Sequence, residues 1–162
     1  MQLVLKNSKK PGISIVEILV AIFIVAVALG GVLTAASFSL KLSSLTAQTT
    51  QAGFLAEEAI EAVRSFRDGT QWAVNGLGTL SLDTAYHPEK TLDSPPSWNL
   101  IVGEETSGVF SRKIVLSRVL RDGSDNIVET GTEDSGTRKV TATVSWQGKQ
   151  IEIITYIADW KK

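Results

Sequence analysis

The chain has 162 residues, a formal net charge of -1 and no cysteine. That length suits one ordinary domain, the missing thiols exclude disulfides and cysteine chemistry, and the mixed charges offer no basic stripe for a nucleic acid. An uneven distribution of apolar residues, rather than overall composition, sets the class.

The first predicted element is a membrane-grade segment. From Ile18 to Leu40 there is no charged side chain, and Ile18 to Leu29 consists only of Ile, Leu, Val, Ala and Phe. Such a run meets the roughly 20 residues a helix needs to cross a bilayer. Lys6, Lys9 and Lys10 precede it while only Lys41 follows closely. Positive charge stays on the cytoplasmic side, so the N-terminus is expected in the cytoplasm and everything after about residue 40 outside it.

Three readings of this segment differ in where the chain is cut. A secretory signal would be cleaved after Ala36 in "LTAAS", but its apolar core is normally about 7–15 residues, shorter than this run. An uncleaved anchor fits the length and leaves Glu17 without a role. The third reading cuts before the run, after Gly12, where the lack of a Cβ leaves room for a protease to approach the backbone.

The residues "KKPG" followed by "ISIVEILVA" closely resemble the N-terminal signal of type IV pilins and pseudopilins. The resemblance implies that a prepilin peptidase cleaves between Gly12 and Ile13 and N-methylates Ile13. It implies that Glu17 acts in assembly, pairing with the new α-amino group of its own or a neighbouring subunit. Ile13 stands where phenylalanine or methionine is most usual, and Ser14 where threonine is. The helix-breaking proline of many major pilins is missing, and Gly30-Gly31 is the only weak point in the run.

Helical periodicity continues beyond the apolar segment. Phe38, Leu42, Leu45, Thr49, Ala52, Ala56, Ala59, Val63 and Phe66 recur at alternating spacings of about four and three, with Leu55 and Ile60 widening the stripe. Glu57, Glu58, Glu61, Arg64, Arg67 and Asp68 fill the other positions as a solvated face. Gly69 is placed to end the helix. A helix unbroken from Ile13 to Asp68 would run roughly 80 Å, of which a bilayer core takes about 30 Å. The tract "AEEAIEAVRSFRDG" resembles the end of this helix in PilV-like minor pilins.

Between Thr70 and Glu105 the chain is rich in Gly, Pro, Asn, Asp and Ser, and reads as a connection with one or two short strands at "GTLSLD" and "WNLIVG". Trp72 and Trp98 are expected to anchor core or loop. His87, the single histidine, is expected in a loop before Pro88 and has no second histidine or cysteine with which to hold zinc. From Phe110 strand alternation sets in, with Ile114, Leu116 and Leu120 on one parity and Val115 and Val119 on the other. "RKVTATVSW" puts Val140, Ala142, Val144 and Trp146 inward, and "QGK" turns it into "KQIEIITYIADW" as a C-terminal hairpin. The expected product is an α+β fold: a long N-terminal helix, transmembrane in its first half, packed against a C-terminal antiparallel sheet with one wet face. "FSRKIVLSRVLRD", "VTATVSW" and "TYIADW" resemble the sheet of the same pilins.

The loop "RDGSDNIVETGTEDSGTR" gathers Asp122, Asp125, Glu129, Glu133 and Asp134. Calcium takes six to eight oxygens, so Asp122 and Asp125 are calcium candidates, although their spacing is not that of an EF-hand. No nucleophile with a matching base, no glycine-rich phosphate loop and no metal pattern suggests an enzyme, and no cofactor is expected.

The expected organisation is a leader at 1–12, a transmembrane half-helix at 13–40, an amphipathic half at 41–69 and an exported β-rich domain at 70–162. The resemblance implies a structural subunit, expected to be a minor one, of a type IV pilus or related type II secretion pseudopilus in the bacterial inner membrane. Its partners would be prepilin peptidase, other pilin subunits through helix packing, the assembly platform and the lipid bilayer. The alternative is a single-pass anchored domain that binds a ligand outside the cytoplasm.

Overall fold

A computed structural model describes Gly12 and residues 14–160. The leader up to residue 11, and Ile13 with its expected cleavage and methylation, lie outside the described residues. One helix, α1 (Ile15–Gly69), is followed by β1 (Ala85–Lys90), β2 (Trp98–Val102), β3 (Glu105–Ser107), β4 (Phe110–Arg121), β5 (Ile127–Val128), β6 (Thr132–Trp146) and β7 (Lys149–Ala158). The chain divides into two compact units, one ending at Thr46 and the other beginning at Ala47.

The first unit is the apolar part of α1. Its start is set by Ser14, whose carbonyl accepts the first helical hydrogen bond, from the Ile18 N–H at 3.2 Å. The helix is long and apolar enough to cross a membrane: its most apolar window has a mean hydropathy of 2.8, and none of that window is buried. It passes through Gly30 and Gly31 without a break. Two hydroxyls within it turn back on the backbone, Thr34 Oγ1 donating to the Gly30 carbonyl at 2.9 Å and Ser37 Oγ to that of Leu33 at 2.9 Å. These two side chains are thereby satisfied without water, which suits an apolar environment.

The second unit packs the remainder of α1 against an antiparallel sheet with main order β2-β1-β4-β6-β7, and β3 and β5 add to β4. The α+β architecture expected from the sequence is the one observed. β4 and β6 form its spine, paired from Ser111↔Ser145 to Arg118↔Arg138. β6 and β7 form the C-terminal hairpin, closed at Trp146↔Lys149 by Gln147 (φ 46°) and Gly148 (φ 74°). Two successive residues in the left-handed region give the primed turn whose twist matches that of the strands.

The core lies between helix and sheet. Ala52, Ala56, Ala59, Ile60, Ala62 and Val63 are the buried residues of α1. Ala59, Ile60 and Val63 meet Ile114, Leu116, Val140, Ala142 and Ile157, with Leu77, Tyr86 and Leu100 completing the cluster. Ala52 and Ala56 meet Phe110, Val144 and Trp146, and the Phe110 and Trp146 rings stand 5.9 Å apart. The inward set of β6 is thus as expected. Each fully buried branched side chain contributes on the order of 1.5–3 kcal/mol of transfer free energy. The small alanines let helix backbone and sheet side chains approach closely enough to exclude water.

Several expectations need correction. "GTLSLD" forms turns, and the strand before β2 is instead "AYHPEK", so His87 is a half-buried strand residue rather than a loop residue. Pro88 has no N–H to offer, and β1 pairs with β4 only through Ala85 and Tyr86 before leaving it. Leu120 is only half-buried and Val119 is 2% exposed, the reverse of the simple alternation. A register shift between Arg118 and Leu120 changes the parity of β4 there. α1 does end at Gly69, but the last turn is held by Thr70 Oγ1 donating to the Phe66 carbonyl at 2.6 Å.

Candidate functional site

The structure places Gly12 before α1 and Glu17 in its first turn. With Ser14 at the N-cap, Glu17 occupies the third helical position, the spacing of a capping box. An acid there also faces the positive end of the helix dipole. Ser14 and Glu17 thus share the sequence spacing of a capping box, a hydroxyl residue type suited to start a helix and a carboxylate suited to its first turn. The sequence contains this signal as "SIVE", and serine and threonine serve equally in kind as caps.

The apolar surface after Glu17 is uncovered. Ile15 is 77% exposed, Phe23 69% and Leu33 68%, values that water does not tolerate over so long a stretch. The second unit shows no such unbroken stretch among the described residues: the apolar side chains between helix and sheet are buried, and exposed ones such as Val74, Leu92 and Tyr156 lie apart in the chain.

The acidic loop does not gather ligands. Asp122 Oδ1 accepts the N–H groups of Ser124 and Asn126, each at 2.9 Å, and Asn126 Nδ2 donates to Asp122 Oδ2 at 3.1 Å. These bonds, led by the Asn126 side chain, hold the Asp122 carboxyl below its ordinary range. Asp125, at φ 66°, lies 3.5 Å from Arg121 Nε. The two calcium candidates thus form the turn between β4 and β5, and among the described residues no three His, Asp or Glu side chains cluster in a manner that could hold a metal ion. Asp134 is tied from another side, accepting from Thr137 Oγ1 at 2.6 Å, Arg121 Nε at 2.8 Å and the Gly136 N–H at 2.9 Å. The Thr137 hydroxyl first, and then Arg121, lower its pKa to about 2.

Two buried arginines were not singled out from sequence. Arg112 donates through Nε to Glu105 at 3.0 Å and through Nη1 to Glu58 at 3.2 Å and to the Leu55 carbonyl at 3.3 Å. It ties α1, β3 and β4 together. Its parity with Phe110, Ile114 and Leu116 was the signal that it points inward. Arg138 lies over the Trp72 ring, 6.0 Å from the centroid, and its Nε has no hydrogen-bond partner. Trp72 in turn donates to the Ser135 carbonyl at 3.0 Å, as expected of a loop-anchoring residue.

These features define a class: an α+β chain with one helix fit to cross a membrane, whose continuation packs under an antiparallel sheet. A scan against protein-family models, a search of curated proteins and a search of solved structures return no match.

Proposed function

We propose that this chain is a structural subunit, of the minor kind, of a type IV pilus or a type II secretion pseudopilus. The observation that carries the reading is the junction at Gly12–Glu17: a basic stretch and a glycine stand directly before a helix with an acid in its first turn and an uncovered apolar surface beyond. A pilin-like helix-under-sheet shape supports it. In this reading prepilin peptidase cuts between Gly12 and Ile13 and methylates Ile13. The subunit rests in the bacterial inner membrane with its sheet domain outside the cytoplasm, and an assembly platform then moves α1 from lipid into a filament core.

Glu17 has a distinct part there. Once Ile13 is the N-terminus, its α-amino group supplies the cation that an intramembrane carboxylate needs, since an acid at a helix centre in lipid costs about 2.5–3.5 kcal/mol on insertion scales. Removal of one member of such a pair would leave the other charge buried alone.

Mass spectrometry of the protein isolated from membranes tests the processing. A mature chain that begins with N-methylated Ile13 is expected, and a start at Met1 or Ser37 would overturn the proposal. Glu17→Ala is expected to remain inserted in the membrane and to be depleted from sheared filaments, measured by immunoblot of both fractions. Normal incorporation of that variant would remove the assembly role of Glu17.

A further inference from the structure

The wet face of the sheet carries a cleft of about 510 Å³, bounded by Arg118, Leu120, Ile127, Glu129, Lys139 and Tyr156 among others. Four strands build it, β4, β5, β6 and β7. Lys139 on β6 lies directly opposite Tyr156 on β7 and opposite Ser117 on β4, so the ammonium stem and the phenol ring stand side by side on one face. The irregularity between Arg118 and Leu120 re-aims the end of β4, and β5 folds back along it through Leu120↔Val128 and Arg121↔Ile127.

The cations of this cleft differ from the other cations of β4. Arg112, Lys113 and Arg121 are each matched by a carboxylate, at Glu58 and Glu105, at Glu104 and at Asp134. Arg118 and Lys139 have no ion pair among the described residues, although Glu129 borders the same cleft. Tyr156 is 48% exposed and Ile127 44%, which leaves an apolar floor beside two unmatched cations.

We propose that this cleft binds an acidic saccharide, a sugar polymer bearing uronate carboxylates. The ring lies against Tyr156, a carboxylate accepts hydrogen bonds from Arg118 and Lys139, and Glu129 accepts from sugar hydroxyls. Arginine matches a planar carboxylate through paired N–H groups, and lysine adds a point charge. A polyphosphate chain suits the site less well, because Glu129 would repel its closely spaced charges and the chain as a whole has net charge -1. A small aryl acid would need a more enclosed apolar pocket than this exposed face provides. The site does not depend on filament assembly, so its failure would leave the reading of the N-terminal helix untouched.

Calorimetric titration of the full chain in detergent micelles with trigalacturonate tests it, with a neutral trisaccharide and a short single-stranded oligonucleotide as comparison probes. Saturable binding of trigalacturonate is expected, weakened about tenfold or more by Arg118→Gln and by Lys139→Gln, since each removes one charge-assisted contact. Both side chains lack carboxylate partners in the fold, so both variants should keep the parent melting curve, which is recorded alongside. The neutral sugar and the oligonucleotide should bind at least about tenfold more weakly, and added salt should weaken trigalacturonate binding. No saturable heat with the parent chain, equal binding of the neutral sugar, tighter binding of the oligonucleotide, or indifference to both substitutions would each overturn the proposal.

Discussion

The two parts of α1 obey opposite rules. Before Thr46 its surface is built of large side chains, and Ile22, Phe23, Leu29 and Leu33 are all more than half exposed. After Ala47 its buried positions are mostly alanine, with Ala52, Ala56, Ala59 and Ala62 at 0% exposure. Bulk on the first part offers contact area to whatever apolar medium surrounds it. Smallness on the second lets a sheet with its own large residues, such as Ile114 and Leu116, come near. One continuous helix thus presents uncovered bulk at one end, apolar and long enough to cross a membrane, and close-packed small residues to a sheet at the other.

That comparison can be broken by deletion of bulk. Leu116→Ala in the sheet core is expected to destabilise the second unit by about 2–5 kcal/mol, through lost transfer energy and a cavity that collapses only partly. The same change at Leu29 should leave that unit within about 0.5 kcal/mol of the parent, the range of substitutions that touch no packed feature. All four tryptophans, Trp72, Trp98, Trp146 and Trp160, lie in the second unit, so tryptophan fluorescence during denaturant titration in micelles reads that unit alone.

Addition of bulk sharpens it. Ala59→Leu should cost about 1–3 kcal/mol by overpacking against the sheet, whereas Ala26→Leu, on the exposed first part, should be neutral in the same measurement. Equal responses at the two positions would mean that alanine content follows helix propensity and not the approach of the sheet.

A smaller effect concerns charge. The Asp134 carboxyl falls from its ordinary value of 3.8 to about 2 in the folded chain. Because the folded pKa is depressed, its stabilisation is complete above the unfolded value and is lost as pH falls through about 2. The parent should therefore lose stability between about pH 4 and pH 2 more steeply than Asp134→Asn, measured as fluorescence midpoints across that window. Parallel pH profiles would show that the Thr137 and Arg121 contacts do not favour the ionised form.

Local features were legible in the sequence, and features that depend on a distant strand were not. Val140 to Trp146 alternates without a bulge, and its inward set follows directly from period two. The first part of α1 is readable because its apolar residues are consecutive in the chain. β1 was missed because His87-Pro88 lowers strand propensity, and its place is set by pairing with Trp98–Val102. The parity change in β4 could not be read from β4 itself, since the shift opposite Leu120 comes from the extra length at Asp134–Thr137 in β6. The cleft on the wet face was invisible for the same reason: Arg118, Lys139 and Tyr156 are separated in the chain and meet only through registration of three strands. Arg112, by contrast, follows the inward parity of β4, and only the usual preference of a charge for water argues against reading it as inward.

The inward-turned hydroxyls of Thr34 and Ser37 have a consequence for movement between surroundings. A hydroxyl already bonded to its own backbone asks nothing of its neighbours, whether these are acyl chains or another helix. At these two positions the helix therefore places no polar demand on the apolar surroundings it meets, and shape alone decides how well they fit.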